Sequence, residues 1–171
     1  NLSMSGGSKN TNYRASLNFR DAQGILLNTG FERINARLNL QQKALKERFT
    51  LTMNFAGRYN KSEYGFDDAW RYATIYNPTA PVRDSDPAFD IYDGWYQNVL
   101  FDYYNPVAIL EQNTNDGTES RVNLAIRGAY EIIDGLTIDA FYSLQSEAFQ
   151  RNLYFAKQSF WRGADRNGNA R

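Results

Sequence analysis

The chain is predicted to be all-β, an antiparallel up-and-down meander, and three observations carry that expectation. Apolar and polar residues alternate strictly over most of residues 13–150, as in Ile34, Ala36, Leu38 and Leu40 against Arg33, Asn35, Arg37 and Asn39. Side chains on a strand point to opposite faces in turn, so each such run is a strand with one apolar and one polar face. Most runs are separated by short stretches rich in turn residues, which join neighbouring strands directly. Several runs reach about ten residues, enough for a tilted strand to cross a bilayer.

The elements follow in order. Asn1 to Ser5 read as a first strand over about 1–6, and Gly6-Gly7-Ser8-Lys9-Asn10-Thr11-Asn12 as the link to the second. Tyr13, Ala15, Leu17 and Phe19 mark the second strand, about 12–20. Asp21-Ala22-Gln23-Gly24 and Asn28-Thr29-Gly30 are two breaks before the third, about 32–42. A charged link over 43–48 leads to the fourth, about 49–59, with Phe49, Leu51, Met53, Phe55 and Tyr59 on one face. Val122, Leu124, Ile126, Tyr130 and Ile132 outline a strand over about 120–132, and Leu136, Ile138, Ala140, Tyr142 and Leu144 one over about 136–150. Asp134-Gly135 between them is a hairpin signal, and a poorly patterned seventh strand fits after Asn152.

One connection breaks the rule. Residues 60–118 form an insert far longer than an ordinary loop, and such loops are usually functional or disordered. It holds all four prolines and twelve aromatic residues, whereas disordered segments are poor in aromatics. Asp67 and Asp68 ahead of Ala69-Trp70-Arg71-Tyr72-Ala73 predict a short helix stopped by Asn77-Pro78. Asn105-Pro106 predicts an N-cap with proline in the first turn of a second helix from Val107.

Composition narrows the function. Nineteen basic and nineteen acidic residues balance, which excludes nucleic-acid binding by overall charge. Within 60–118, however, ten acidic residues face only three basic ones, so an acidic insert sits in a basic frame. The chain has no cysteine and no histidine, which removes thiolate chemistry, the usual general base and the commonest metal ligand. No enzyme activity and no cofactor are expected. Asp84, Asp86, Asp90 and Asp93 match no calcium loop, and Asp165-Arg166-Asn167-Gly168-Asn169 reads as a polar turn. No apolar run approaches the roughly 20 residues of a membrane helix. The chain opens in mid-strand, as a piece of something longer would.

Alternation alone offers two homes. In a soluble sandwich the apolar face makes the core; in a wide membrane barrel it meets lipid, and the polar face lines the lumen. The lopsided connections, short after odd-numbered strands and including the large insert after even ones, favour the barrel. So do aromatic residues near strand ends (Tyr13, Phe31, Phe49, Tyr59 and Tyr130), placed as an interfacial girdle. On the barrel reading Leu17, Ala36, Leu38, Leu51, Met53, Leu124, Ile126, Ile138 and Ala140 face lipid. Arg33, Arg37, Asn54, Arg127 and Asp139 face the lumen. The other reading is a soluble or surface-attached β-sandwich that binds glycan through the insert.

Several phrases resemble one family. Asn1 to Leu17 (NLSMSGGSKNTNYRASL) and Gln23 to Leu40 (QGILLNTGFERINARLNL) are similar to the strand–turn–strand openings of SusC-like TonB-dependent outer-membrane transporters of Bacteroidetes. WRYATIYNPTAPV from Trp70, FDYYNPVAILEQN from Phe101 and YEIIDGLTIDAFYSLQ from Tyr130 resemble that family's loop motifs and a following hairpin. The resemblance implies a segment of a barrel of about 22 strands, located in the bacterial outer membrane, with 60–118 as an extracellular loop. It implies import of oligosaccharides or peptides, a SusD-like surface lipoprotein as partner, and coupling to the TonB complex through an N-terminal plug region that this stretch lacks. It also implies contact with membrane lipid and none with nucleic acid.

The candidate binding residues are the insert's aromatics: Trp70, Tyr72, Tyr76, Trp95, Tyr96, Tyr103 and Tyr104. Aromatic faces serve sugar stacking and protein hot spots, but they equally make a small core that lets a long loop fold on itself. Arg33, Arg37 and Arg127, with Arg14, are expected either to pair with plug carboxylates or to stand solvated in the lumen.

Overall fold

The computed structural model describes residues 1–98, 102–163 and 169–170. Its strands are β1 (Leu2–Gly7), β2 (Thr11–Gln23), β3 (Gly30–Ala44), β4 (Phe49–Glu63), β5 (Asn113–Ile133), β6 (Leu136–Phe155) and β7 (Asn169–Ala170). They form one sheet in sequence order, an antiparallel meander that does not close on itself. The register of the first pair sets Leu2 beside Leu17, Met4 beside Ala15 and Gly6 beside Tyr13. Apolar residues therefore stack on apolar ones across the ladder, as a one-sided sheet requires.

The connections 8–10, 45–48 and 134–135 are short, while 24–29, 64–112 and 156–168 are long. Long and short links thus alternate end by end. Five strands run at least two residues past the limits that patterning indicates: β2 to Gln23, β3 to Ala44, β4 to Glu63, β5 from Asn113 and β6 to Phe155. The insert is correspondingly 64–112 rather than 60–118. The added strand ends are polar (Asn60, Ser62, Asn113, Asn115) and read as loop, yet all four are buried. Of the two breaks expected at 21–24 and 28–30, Asp21, Ala22 and Gln23 belong to β2 and Gly30 opens β3; the single connection 24–29 is closed by the Gly24 N–H donating to the Thr29 carbonyl at 2.8 Å. The seventh strand lies after Asn152 as expected, but it begins only at Asn169, because β6 continues through Asn152 to Phe155.

The chain divides into two compact units. One comprises Asn1–Asp21, Phe31–Lys61 and Thr118–Phe149; the other Ala22–Gly30, Ser62–Gly117 and Gln150–Arg171. The first is strand and short turn, and no second layer covers its apolar face among the described residues. Leu17, Phe19, Ile34, Ile138 and Leu144 are all exposed, with Ile138 at 57%. A soluble sandwich would cover that face, so the sandwich reading is not favoured. No helix among the described residues is long and apolar enough to cross a membrane. Gly135 at the β5–β6 turn takes φ of +87°, a left-handed conformation that L side chains rarely adopt. Nothing stands within 4 Å of where its Cβ would be. Gly135→Val is therefore expected to cost about 1–2 kcal/mol through the backbone alone, read as a lowered urea midpoint of the full-length parent. An unchanged midpoint would refute it.

The second unit holds the buried core. Helix α1 (Asp68–Ile75), a 3-10 turn over Pro87–Tyr92 and helix α2 (Pro106–Gln112) lie in the insert. Ala69 and Tyr72 of α1 meet Ile109 and Leu110 of α2, with Phe66 and Phe155. Leu26, Tyr104, Leu153 and Trp161 close the margin. Phe66, Phe155 and Trp161 pack as three rings 5.2–5.8 Å apart. Each ring supplies a large apolar area in an orientation its quadrupole tolerates.

Candidate functional site

Two sets of residues carry the chemistry, the aromatics of the insert and the polar face of the sheet.

In the insert, Asn105 is the organising residue. It is 1% exposed, and its side chain is fully used. Its Oδ1 accepts from the Val107 and Ala108 N–H groups at 3.1 and 3.2 Å, which caps α2 as the Asn-Pro pair predicts. Its Nδ2 donates to the carbonyls of Val82 and Tyr96 at 2.9 and 3.1 Å, fastening two further loop segments. Asp67 stands at the N-cap of α1 but makes no capping bond with its side chain. Asp68, in the first turn, suits the positive end of the helix dipole.

The seven candidate aromatics separate by burial. Tyr72 and Trp95 are buried at 4% and 5%, while Trp70 is half exposed. Tyr72 packs edge-on against Tyr104 at 5.1 Å, and Tyr76 stacks on Tyr103 at 5.1 Å. Tyr96 packs on Phe89, and the Arg83 guanidinium lies 3.8 Å over the Trp95 ring. Six of the seven thus hold the insert together, and Trp70 presents a large exposed face. Pattern alone did not separate Trp70 from Tyr72. Helical spacing does, because Ala69 and Tyr72, three apart, share the buried side of α1.

A polar clasp joins α1 to the segment before α2. Tyr72 donates its hydroxyl to Asp102 Oδ1 at 2.7 Å, and Arg71 forms an ion pair with the same carboxylate. Burial, and then the bond to Asp102, push the Tyr72 phenol up to about 12. The Tyr76 phenol is also pushed up to about 12, chiefly by burial. Asp102 is held below the usual carboxylate range by its hydrogen bonds from Tyr72 and Arg71. The signs set a window. The phenol's contribution is complete below its ordinary value near ~10 and lost as pH rises through about 12. The carboxylate's contribution is complete above its ordinary value near ~4 and lost as pH falls through the lower folded value. Alkaline titration at 295 nm should therefore show late-ionising phenols. Tyr72→Phe should remove one of them and Asp102→Asn should shift one downward; an unchanged late phase in both would rule the clasp out.

Asp84, Asp86, Asp90 and Asp93 hold turns. Asp84 accepts from the Asp86 N–H and Asp86 from the Ala88 N–H, and Asp93 takes φ of 57°. No group of three acidic, histidine or cysteine residues among the described residues is placed to hold a metal. The polar turn expected at Asp165 to Asn169 lies outside the described residues, apart from Asn169 as the first residue of β7.

On the polar face, strands β4 to β6 are cross-linked by charge. Arg58 pairs with Glu119, and Arg121 reaches Glu119 at 3.8 Å and Glu147 at 2.6 Å. Arg127 donates to Asp139 at 2.8 Å. Arg127 therefore has its carboxylate partner on the neighbouring strand. Arg33 donates to Asn60 Oδ1 at 3.1 Å and lies 4.8 Å from the centre of the Phe31 ring, which Arg20 approaches at 5.3 Å. Phe31 is thus a polar-face residue. It shares the odd parity of Arg33 and Arg37 on β3, and the girdle position expected for it is corrected. Arg37 makes no ion pair among the described residues.

No protein-family model matches the chain. Curated proteins do. The chain is 29% identical over 99 residues to the TonB-dependent receptor SusC of Bacteroides thetaiotaomicron, a match covering 57% of this chain and 10% of that protein. It is 30% identical over 118 residues to the TonB-dependent receptor P26 of Formosa agariphila, covering 67% and 11%. With the TonB-dependent receptor P3 of the same organism it shares 26% identity over 159 residues, covering 87% and 15%. The chain thus spans 10–15% of the length of these curated relatives.

Proposed function

We propose, from the premise that this chain belongs to the family of TonB-dependent receptors, that it forms part of the wall of an outer-membrane barrel importing oligosaccharides or peptides. The observation that carries this reading is the bare apolar face of an open seven-stranded sheet whose other face is cross-linked by ion pairs. In water that apolar face is a liability; against lipid it is the expected outer surface. The open edges fit the same reading, because in hydrocarbon each unpaired backbone group costs several kcal/mol and spanning sheets close. Further strands of the parent would supply that closure.

On this reading Leu17, Ala36, Leu38, Leu51, Met53, Leu124, Ile126, Ile138 and Ala140 meet lipid, and Arg33, Arg37, Asn54, Arg127 and Asp139 meet the lumen. The insert and the other long connections lie outside the cell and the short turns in the periplasm. Trp70, half exposed, is the candidate aromatic placed to meet solute or a SusD-like lipoprotein lid, while Tyr72, Tyr76, Trp95, Tyr96, Tyr103 and Tyr104 shape the loop that presents it. Coupling to TonB belongs to parts of the parent outside this stretch. The role is transport, and no catalysis is assigned.

Fractionation of cells expressing the full-length parent tests the reading. Recovery with outer membranes, released only by detergent, is expected; recovery in a detergent-free wash would overturn it. Protease added to intact cells should cut within 64–112, and cleavage there only from the periplasmic side would reverse the topology.

A further inference from the structure

The three long connections, 24–29, 64–112 and 156–168, leave the sheet at the same end, because strands that alternate in direction bring every second link together. Loops so placed are ordinarily mobile and open one at a time. Here both flanking connections are fastened to the insert between them.

On one flank, Asn28 donates its amide to the Leu110 carbonyl at 3.2 Å, and Leu26 packs on the core that α1 and α2 share. Gly65 shows how closely the two segments approach. It takes φ of +60°, and a Cβ there would stand 2.5 Å from the Thr29 methyl. On the other flank, the chain after β6 folds back onto the insert. The buried Asn113 amide accepts from the Ala156 N–H at 3.2 Å and donates to Ser159 Oγ at 3.0 Å, and Ser159 is itself buried. Gln112 donates to the Gln158 carbonyl at 3.3 Å. Phe160 packs on Tyr92 and Tyr104 at 5.0 and 5.7 Å, Trp161 on Phe66, and Arg162 reaches Asp68 at 3.7 Å.

The two fastenings share one core. Leu26 from the first flank and Trp161 from the second both pack against the cluster that holds Phe66, Tyr72, Ile109 and Leu110. Releasing either flank exposes apolar surface on which the other depends, so the segments have reason to open together. All these bonds are made within the stretch itself. Strands, loops or a plug elsewhere in the parent add to them without replacing them.

We propose that the described residues of the three connections form one cooperative body, a fixed rim in which the insert is not a separately hinged lid. A contact made on the exposed side of α1, where Trp70 stands, is then passed to the ends of β2, β3 and β6 instead of being absorbed by movement of the insert alone. That the rim borders a transporter mouth rests on the transporter reading; its cooperativity rests on the bonds and packing above.

Amide exchange followed by mass spectrometry on the detergent-purified full-length parent tests it. Segments that open together share one opening free energy, so a change in one alters protection in all by the same factor. Trp161→Ala is expected to lower protection about a hundredfold in 64–78 and 105–112, and equally in 22–30 on the far flank. Asn28→Gly removes the bond to Leu110 while keeping the left-handed backbone at φ of 54°. This milder variant should lower protection about fivefold in 22–30, 105–112 and 156–163 alike. Protection over 122–133, in the first unit, should not change in either variant. An effect of Trp161→Ala that spares 22–30, or of Asn28→Gly that spares 156–163, would overturn the cooperative body. Loss over 122–133 by the same factor would overturn it too, because the rim would then be no body of its own. None of these readouts needs a solute to move, so the transporter reading stands or falls separately, on fractionation.

Discussion

Exchanging Arg37 and Leu38 is expected to cost the full-length parent about 2–4 kcal/mol, the penalty of an arginine on the lipid face near the bilayer midplane. The double variant Arg37→Leu/Leu38→Arg keeps composition, charge and strand length, and changes only which face carries the guanidinium. Neighbouring residues on a strand point to opposite faces at nearly the same depth, so the exchange isolates face from depth. Arg37→Leu alone should cost far less, because Arg37 makes no ion pair among the described residues and a lumen position tolerates either side chain. The measurement is urea unfolding of the parent refolded in lipid vesicles, followed by its heat-dependent shift in gel mobility. If the exchange were tolerated as well as the single change, Leu38 would not face lipid and the wall assignment would be inverted.

How much of this was legible beforehand depends on whether the signal was local. The alternation in β3 and β4 fixes face by parity, and parity needs no partner to be read. Phe31 shows the cost of setting parity aside: an aromatic near a strand end suggests a girdle, but position 31 shares a face with Arg33, and both Arg20 and Arg33 lie against its ring. Strand length was less legible, for a tertiary reason. Asn113 and Asn115 look like loop residues until their partners are known. Asn113 donates to the Ile109 carbonyl at 2.8 Å and to Ser159 Oγ at 3.0 Å, and Asn115 donates to the Gly65 carbonyl. Those partners let polar residues continue a strand in a buried setting, since a satisfied amide is far cheaper to bury than an orphaned one.

Asn105→Ala is expected to loosen the insert by about 3 kcal/mol, more than any other single truncation within it. Two losses combine. Removing the capping oxygen from the first turn of α2 costs about 1 kcal/mol. Removing the amide group also gives up the two hydrogen bonds to the Val82 and Tyr96 carbonyls, about 1 kcal/mol each, although the Val82 carbonyl keeps its bond from the Tyr96 N–H. Two further variants separate the parts. Asn105→Ser keeps a capping oxygen and should recover about a third of the loss. Asn105→Asp keeps the acceptor but turns an anion toward two carbonyl oxygens, so it should be no better than alanine even though aspartate is as good a cap in an isolated helix. The readout is protease cleavage within 64–112 of the parent in outer-membrane vesicles, with amide exchange at Ile109 and Leu110, both buried in the wild type, as the local probe. The barrel's own urea midpoint should not move, because the bonds that Asn105 makes all lie within the insert. Aspartate restoring full protection would mean that the cap alone organises the loop and that the bonds to Val82 and Tyr96 contribute nothing measurable.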